Sequence, residues 1–254
     1  HYDLGHPTFA FGKISDQGWW WYFPAAFAIK TPLPMLTLLG AASVIGLRRL
    51  GKKTRTWQQH HGGSEATPLH RGTAHALAWI LLAIFPVLYG ISSLFSTVNI
   101  GYRHLLPILP FLYIVVAKLL TSRQWPSEGK AFSQMSIIGG LLIWLAIVTF
   151  ATVPYPLTFF NALGGGPSDG YQYLVDSNLD WGQNLWDLAQ WMDENNKDHV
   201  FYAHYSPTNP RVYGINASFL PPDPRAVPFA PWRPAPGLYA IGATVLQGAY
   251  TSDV

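Results

Sequence analysis

The chain of 254 residues contains no cysteine, which excludes disulfides and thiolate metal centres and leaves its redox compartment unread. Charge is nearly as scarce. Asp, Glu, Lys and Arg together make up 11% of the residues, where an ordinary soluble domain carries about 25%. The net charge is only +3, and no nucleic-acid partner is expected. The chain opens on His1 with no basic-then-apolar leader and is read as a piece of something longer. What it has instead is apolar bulk: 49% hydrophobic and 15% aromatic residues, with 21 Pro and 23 Gly. The mean hydropathy of +0.14 is mild for such a composition and points to an apolar part diluted by a polar one.

Four stretches have the length and apolarity of membrane spans, for which about 20 residues are needed. They lie near 20–47, 74–95, 105–120 and 135–153. The first is divided by Pro32 and Pro34, and Pro86 marks a bend in the second. Basic residues gather in two of the connections. Arg48, Arg49, Lys52, Lys53, Arg55 and Arg71 occupy 48–72, and Arg123 and Lys130 occupy 121–134. Positive loops face the cytoplasm, so residues 1–18, the 97–104 turn and everything after 154 are expected on the outer face.

After VPYP at 153–156 the balance of charge reverses. Asp169, Asp176, Asp180, Asp187, Asp193, Glu194, Asp198, Asp223 and Asp253 stand against Lys197, Arg211, Arg225 and Arg233. Residues 156–254 therefore read as an extracytoplasmic α/β domain. Within it DWGQNLWDLAQWMDENNK predicts a helix capped by Asp180 with Gln183 three residues on. Leu185, Leu188, Ala189 and Met192 line its apolar face. HVFYAHY and GLYAIGAT predict strands. The fold class expected from these readings is an α-helical polytopic membrane protein, residues 1–155 with four spans, followed by the small α/β domain.

Several segments, in order, resemble one family of membrane enzymes. They are GWWWYFPAAFAIKTPLP (18–34), VNIGYRHLLPILPFLYI (98–114), FFNALGGGPSDGYQYLVDSNLDWGQNLWDL (159–188) and PGLYAIGATVLQGAY (236–250). They are similar to the lipid-carrier-dependent glycosyltransferases of family 39, of the protein O-mannosyltransferase and aminoarabinose-transferase type. The resemblance implies transfer of a sugar from a polyprenyl-phosphate donor to a protein or lipid acceptor, in a bacterial plasma membrane. It also implies that the catalytic acid lies in a first outer loop that these residues do not match. No catalytic residue is assigned here. Asp3 and Asp16 do not fit that motif and read as solvated loop charges.

A departing phosphate needs a cation more than an acid. Arg103, in the outer turn before the third span, offers a planar fork suited to phosphate oxygens; the plainer alternative is an interfacial anchor. His104 either donates a second bond or caps the helix below. Lys30 interrupts the first apolar stretch, and an ionisable group there is a functional candidate or a lysine satisfied by the proline kink. Asp176 and Asn178 are further candidates, for the acceptor or the sugar. Trp19, Trp20, Trp21 and Tyr22 read as an interfacial belt. GGGPSDG, 164–170, lacks the Lys-Ser/Thr ending of a phosphate loop and reads as a turn. His60, His61 and His70 lack ligand spacing. No cofactor is identified, and a divalent-metal requirement stays open. Two non-enzymatic alternatives remain beside the enzyme: a lipid-linked sugar transporter or flippase module, and a membrane anchor for an interaction domain.

Overall fold

The computed structural model describes residues 7–59, 69–121, 128–220 and 235–249. Asp3, His60, His61 and Arg123 lie outside the described residues. A hairpin comes first, β1 (Thr8–Ala10) antiparallel to β2 (Lys13–Ser15). Helices α1 (Tyr22–Lys30), α2 (Leu33–Gln59), α3 (Leu69–Leu94), α4 (Leu109–Thr121) and α5 (Glu128–Ala151) follow, with a 3₁₀ segment, Tyr102–Ile108, leading into α4. Several short 3₁₀ turns then lead to α6 (Leu185–Glu194), β3 (Val200–Ala203), β4 (Ala217–Phe219), β5 (Tyr239–Ile241) and α7 (Ala243–Leu246).

The four-span polytopic architecture expected from hydropathy is not what the chain adopts. Among the described residues one apolar helical stretch, Tyr102–Leu120, is long enough to cross a membrane. The stretch near 20–47 is two helices, α1 and the portion of α2 up to Arg48, bent by 114°. The cause is local. Thr31 precedes Pro32 and is extended, with ψ 133°, because a following proline disfavours the helical region. Pro34 then occupies the first turn of α2, where a missing N–H costs nothing. The apolar parts of α3 and α5, Trp79–Leu94 and Met135–Ala151, are each 10–17 residues long, short of a span. Polar residues occupy their first turns: His70, Arg71 and His75 in α3, Glu128, Lys130, Ser133 and Gln134 in α5. The basic run Arg48–Arg55, expected in a connection, lies on α2, which continues to Gln59.

The helices enclose a narrow core. α2 packs on α4 and α5, burying Met35, Leu38, Ala42 and Val116. Large apolar side chains remain exposed on the outward faces, among them Leu81 and Leu88 on α3, Ile114 on α4, and Ile143 and Phe150 on α5.

The expected strands are present as β3 and β5, and both are parallel neighbours in a sheet of order β4-β3-β5. Leu185 and Met192 of α6 pack beneath the sheet on Val200, Tyr202, Ile215 and Ala217, with Leu188 and Ala189 alongside, as the apolar spacing requires. The expected cap is not formed. α6 begins at Leu185, five residues beyond Asp180. The Asp180 carboxylate instead takes the Gly182 N–H (2.6 Å), and Gln183 takes the Trp181 N–H (2.6 Å) while donating to Leu179 O. Two local side-chain turns have displaced the capping box.

A third core joins the two halves of the chain. Phe9, Tyr22, Phe23, Leu105, Phe160 and Leu174 pack together, each aromatic or Leu contributing about 1.5–3 kcal/mol by leaving water. The boundary expected at 155 is thus crossed by packing: α1 and the 3₁₀ segment before α4 are built into the same core as residues 160–179.

Candidate functional site

The five candidate residues come from three distant parts of the sequence, and the structure gathers them around one segment, Val175–Asp180. That segment is stitched to the 98–104 turn and to α1. Ser177 Oγ donates to Ile100 O, and the Tyr102 N–H donates to Asn178 Oδ1 at 2.9 Å. The approach is close enough that a side chain on Gly101 would strike Ser177 Oγ, 2.1 Å from the position of its Cβ. Glycine at 101 is therefore a steric requirement of the site.

Asn178 is the hub. It is 0% exposed. Its amide donates to Tyr22 Oη and to Val175 O, both at 2.9 Å, and its backbone carbonyl accepts from Lys30 Nζ at 2.6 Å. Its amide hydrogens and carbonyl are thus committed to protein groups. Two of the three Lys30 ammonium hydrogens are committed as well. Its ammonium donates also to Leu157 O at 2.7 Å and lies 4.3 Å from the Phe160 ring centroid. A snorkelling lysine would reach outward. This one is 7% exposed and pins α1 to the 156–178 segment.

Arg103 behaves differently. Its side chain is exposed, its guanidinium lies 4.8 Å from the Trp181 ring centroid, and among the described residues it makes no hydrogen bond or ion pair. Stacking on an indole leaves the N–H fork free at its edge. His104 beside it packs edge-on to Phe23, and its Nε2 is buried without a hydrogen-bond partner among the described residues. A buried ring nitrogen in that state lacks a hydrogen bond that a ligand or water would supply.

Asp176 has φ +60°, a conformation that Asp tolerates better than most residues. Its backbone N–H donates to Thr244 Oγ1 at 2.9 Å, and its carboxylate takes the Ser177 N–H and the Tyr205 hydroxyl (3.2 Å). Tyr205 donates also to Asp180 O at 2.8 Å. Burial, and then the neighbouring Asp176 carboxylate, push the Tyr205 phenol well above its usual range. It therefore stays protonated as a donor.

Sequence reasoning missed one pair. His204 Nε2 lies 2.6 Å from Asp180 Oδ2, and His204 Nδ1 accepts the Ser206 N–H at 2.8 Å. The acceptor at Nδ1 fixes the proton on Nε2, so His204 donates to Asp180. Burial opposes the charge on Asp180, but the His204 bond and the Gly182 and Trp181 N–H groups hold its carboxyl below the usual range. The available signal was a polar residue placed directly after an apolar parallel strand, where α/β sheets present their ligand sites.

No family model, curated protein or solved structure matches this chain.

Elsewhere, Trp19 and Trp21 stack on one another at 5.3 Å and only Trp20 projects, 69% exposed. Asp16 is exposed, and residues 164–170 form turns between 3₁₀ segments. An apolar cavity of about 730 Å³ lies between α2, α4 and α5, lined by Pro32, Met35, Tyr113, Val116, Met135 and Leu142. Its Pro32 end adjoins Thr31, whose hydroxyl is 3.0 Å from Tyr102 Oη. Tyr102 is the neighbour of Arg103.

Proposed function

We propose that this chain is part of a membrane-associated glycosyltransferase that takes a sugar from a polyprenyl-phosphate donor and passes it to a protein or lipid acceptor. The observation that carries this reading is the guanidinium of Arg103, set over an indole and unpaired among the described residues, at the first turn of the one stretch among them that is long enough to cross a membrane. A lipid phosphate lies at that depth, and a planar cation with a free fork fits its oxygens. His104 Nε2, unpartnered among the described residues, supplies a second polar atom nearby. The apolar cavity that reaches Pro32 suits an isoprenoid chain, and the exposed apolar faces of α3, α4 and α5 suit contact with a bilayer.

Lys30 and Asn178 hold the site rather than touch substrate, because their polar atoms are engaged by protein. Stabilising charge on the leaving phosphate is the contribution of Arg103. No residue of this chain is assigned the base. The reading places the protein in a bacterial plasma membrane with residues 156–249 on the outer side. Lys197→Cys, in a chain otherwise free of cysteine, is then labelled in intact cells by an impermeant maleimide.

The test is donor-dependent sugar transfer in membranes of matched protein content. Arg103→Ala removes a charge-assisted contact worth about 1.5–3 kcal/mol, which is a loss of about tenfold to hundredfold. Arg103→Lys keeps the charge without the fork and recovers part of that loss. Full activity of the Ala variant removes Arg103 from the site. Full activity of the Lys variant leaves it an anchor only.

A further inference from the structure

A second cavity of about 180 Å³, of mixed lining, opens where the parallel sheet ends, between β3 and β5. In that sheet β3 lies between β4 and β5, and the cavity is lined by residues at the carboxyl ends of β3 and β5. Such a gap at the carboxyl ends of parallel strands is where α/β sheets form ligand crevices. The wall has two chemistries. Leu185, Leu188 and Ile241 make an apolar side, and Asp180, His204 and Asn184 make a polar one.

The polar side is short of donors. Asp180, with its side chain 18% exposed, has one oxygen bonded to the Gly182 N–H and the other to His204. Each carboxylate oxygen retains a further lone pair. His204 has both ring nitrogens engaged by protein. Its ring is pressed against Gly242, where a Cβ would lie 2.4 Å from His204 Cδ2, so His204 cannot turn to serve a ligand. Asn184 Oδ1 is buried and has no hydrogen-bond partner among the described residues. The Asp180 and Asn184 side chains therefore bring a carboxylate and an unsatisfied amide oxygen to a cavity whose other lining includes Leu185, Leu188 and Ile241.

We propose that this cavity is a binding site for a single hexose-like ring. Ring hydroxyls donate to Asn184 Oδ1 and to the Asp180 carboxylate, and the C–H face of the ring lies on Leu185, Leu188 and Ile241. The volume is below the ~300–1,000 Å³ of sites for drug-sized ligands, so one ring fits and a longer glycan extends outward. The depressed carboxyl of Asp180 makes it an acceptor of hydrogen bonds and a poor proton-abstracting base. The site is a binding subsite and not a catalytic centre. The ring belongs either to the lipid-linked donor or to a glycosylated acceptor. This assignment deepens the glycosyltransferase reading and rests on it for the source of the sugar, while the affinity for a free sugar is separate.

The experiment is calorimetric titration of the full chain in lipid nanodiscs. The probes are methyl hexosides (glucoside, mannoside and galactoside), with hexylammonium as the cationic control. At least one methyl hexoside binds saturably, and Asn184→Leu weakens it at least tenfold. The same variant melts at or above the wild-type temperature, since the lost oxygen has no hydrogen-bond partner among the described residues. Asp180→Asn weakens binding too and serves as the second variant. Absence of hexoside binding overturns the proposal, as does binding that Asn184→Leu leaves unchanged, or binding of hexylammonium alone.

Polyprenyl phosphate with and without a hexose assigns the source. An advantage of the glycosylated lipid that disappears in Asn184→Leu places the donor sugar in the cavity. An advantage that persists, with methyl hexoside binding lost, places the acceptor's sugar there. If Arg103→Ala leaves transfer intact while methyl hexosides still require Asn184, the phosphate reading fails and the sugar site stands.

Discussion

The helices α2 to α5 and the segment from Phe160 to Ala249 draw on similar apolar residues and arrange them in opposite senses. In the helices, large side chains such as Leu81, Leu88, Ile143 and Phe150 point outward, around a core of Met35, Leu38, Ala42 and Val116. In the later segment Leu185, Met192, Val200, Tyr202 and Ile215 form a buried core while Trp186 and Val212 stay exposed, and the buried Asn178, Ser177 and His204 side chains are held by hydrogen bonds. On the proposed membrane reading the difference is one of solvent: a surface facing hydrocarbon would gain nothing by hiding its leucines, whereas a surface facing water gains by hiding them and by pairing the polar atoms hidden with them.

The strongest way to break this comparison is Asn178→Leu. It fills the space but leaves the Tyr22 hydroxyl and the Tyr102 N–H without their partner and the Val175 carbonyl with only the backbone N–H of residue 178. A buried unsatisfied group costs about 1–3 kcal/mol, so a loss of about 3 kcal/mol or more is expected in urea unfolding of the detergent-solubilised chain. Leu88→Ala on the outward face of α3 changes the same midpoint by less than about 1 kcal/mol. Equal effects would erase the distinction between the two regions.

Ile114→Arg sharpens it at lower cost. Ile114 is 53% exposed near the middle of Tyr102–Leu120, where an arginine in a bilayer costs about 2.5–3.5 kcal/mol. The membrane-extracted fraction should rise in carbonate washes. Val212→Arg, on a residue at least as exposed but in the later segment, leaves that fraction unchanged.

The smallest effect is pH-dependent. The folded state holds the Asp180 carboxyl below its ordinary value, so it binds fewer protons than the unfolded state in the acid range. Stability from Asp180 is then complete above the ordinary carboxylate value of about 3.9 and declines as pH falls through the lower folded one. Urea midpoints between about pH 2 and 6 should show a shallower acid limb for Asp180→Asn than for wild type. Identical limbs would separate Asp180 from the His204 pair.

Much of this was legible from residue order. The β3 and β5 strands follow from their aromatic and β-branched runs, and the apolar face of α6 from its spacing. Arg103 stood out because an arginine before an apolar run is rare and demands a reason. The failures share a cause. Pro32 reads as a break and is one, but hydropathy counted apolar residues without asking where polar first turns would shorten the apolar parts of α3 and α5. Asp180 satisfied the pattern of a helix cap, but Gly182 and His204 offered it closer partners. Lys30 and Asn178 looked like ligand contacts because their isolated polarity is visible in sequence and their partners, more than a hundred residues away, are not.

The sequence by itself determined composition-level and local facts: the scarcity of charge, the apolar stretches, the turn at Pro32, the strands, and the guanidinium at the head of Tyr102–Leu120. These depend on one residue and its neighbours in the chain. Only the tertiary structure decided that Lys30 and Asn178 are internal pins, that Arg103 rests on Trp181, and that Asp180, His204 and Asn184 line one cavity. Those outcomes depend on hydrogen bonds and packing between distant segments, where each polar atom takes the partner that folding brings within about 3 Å.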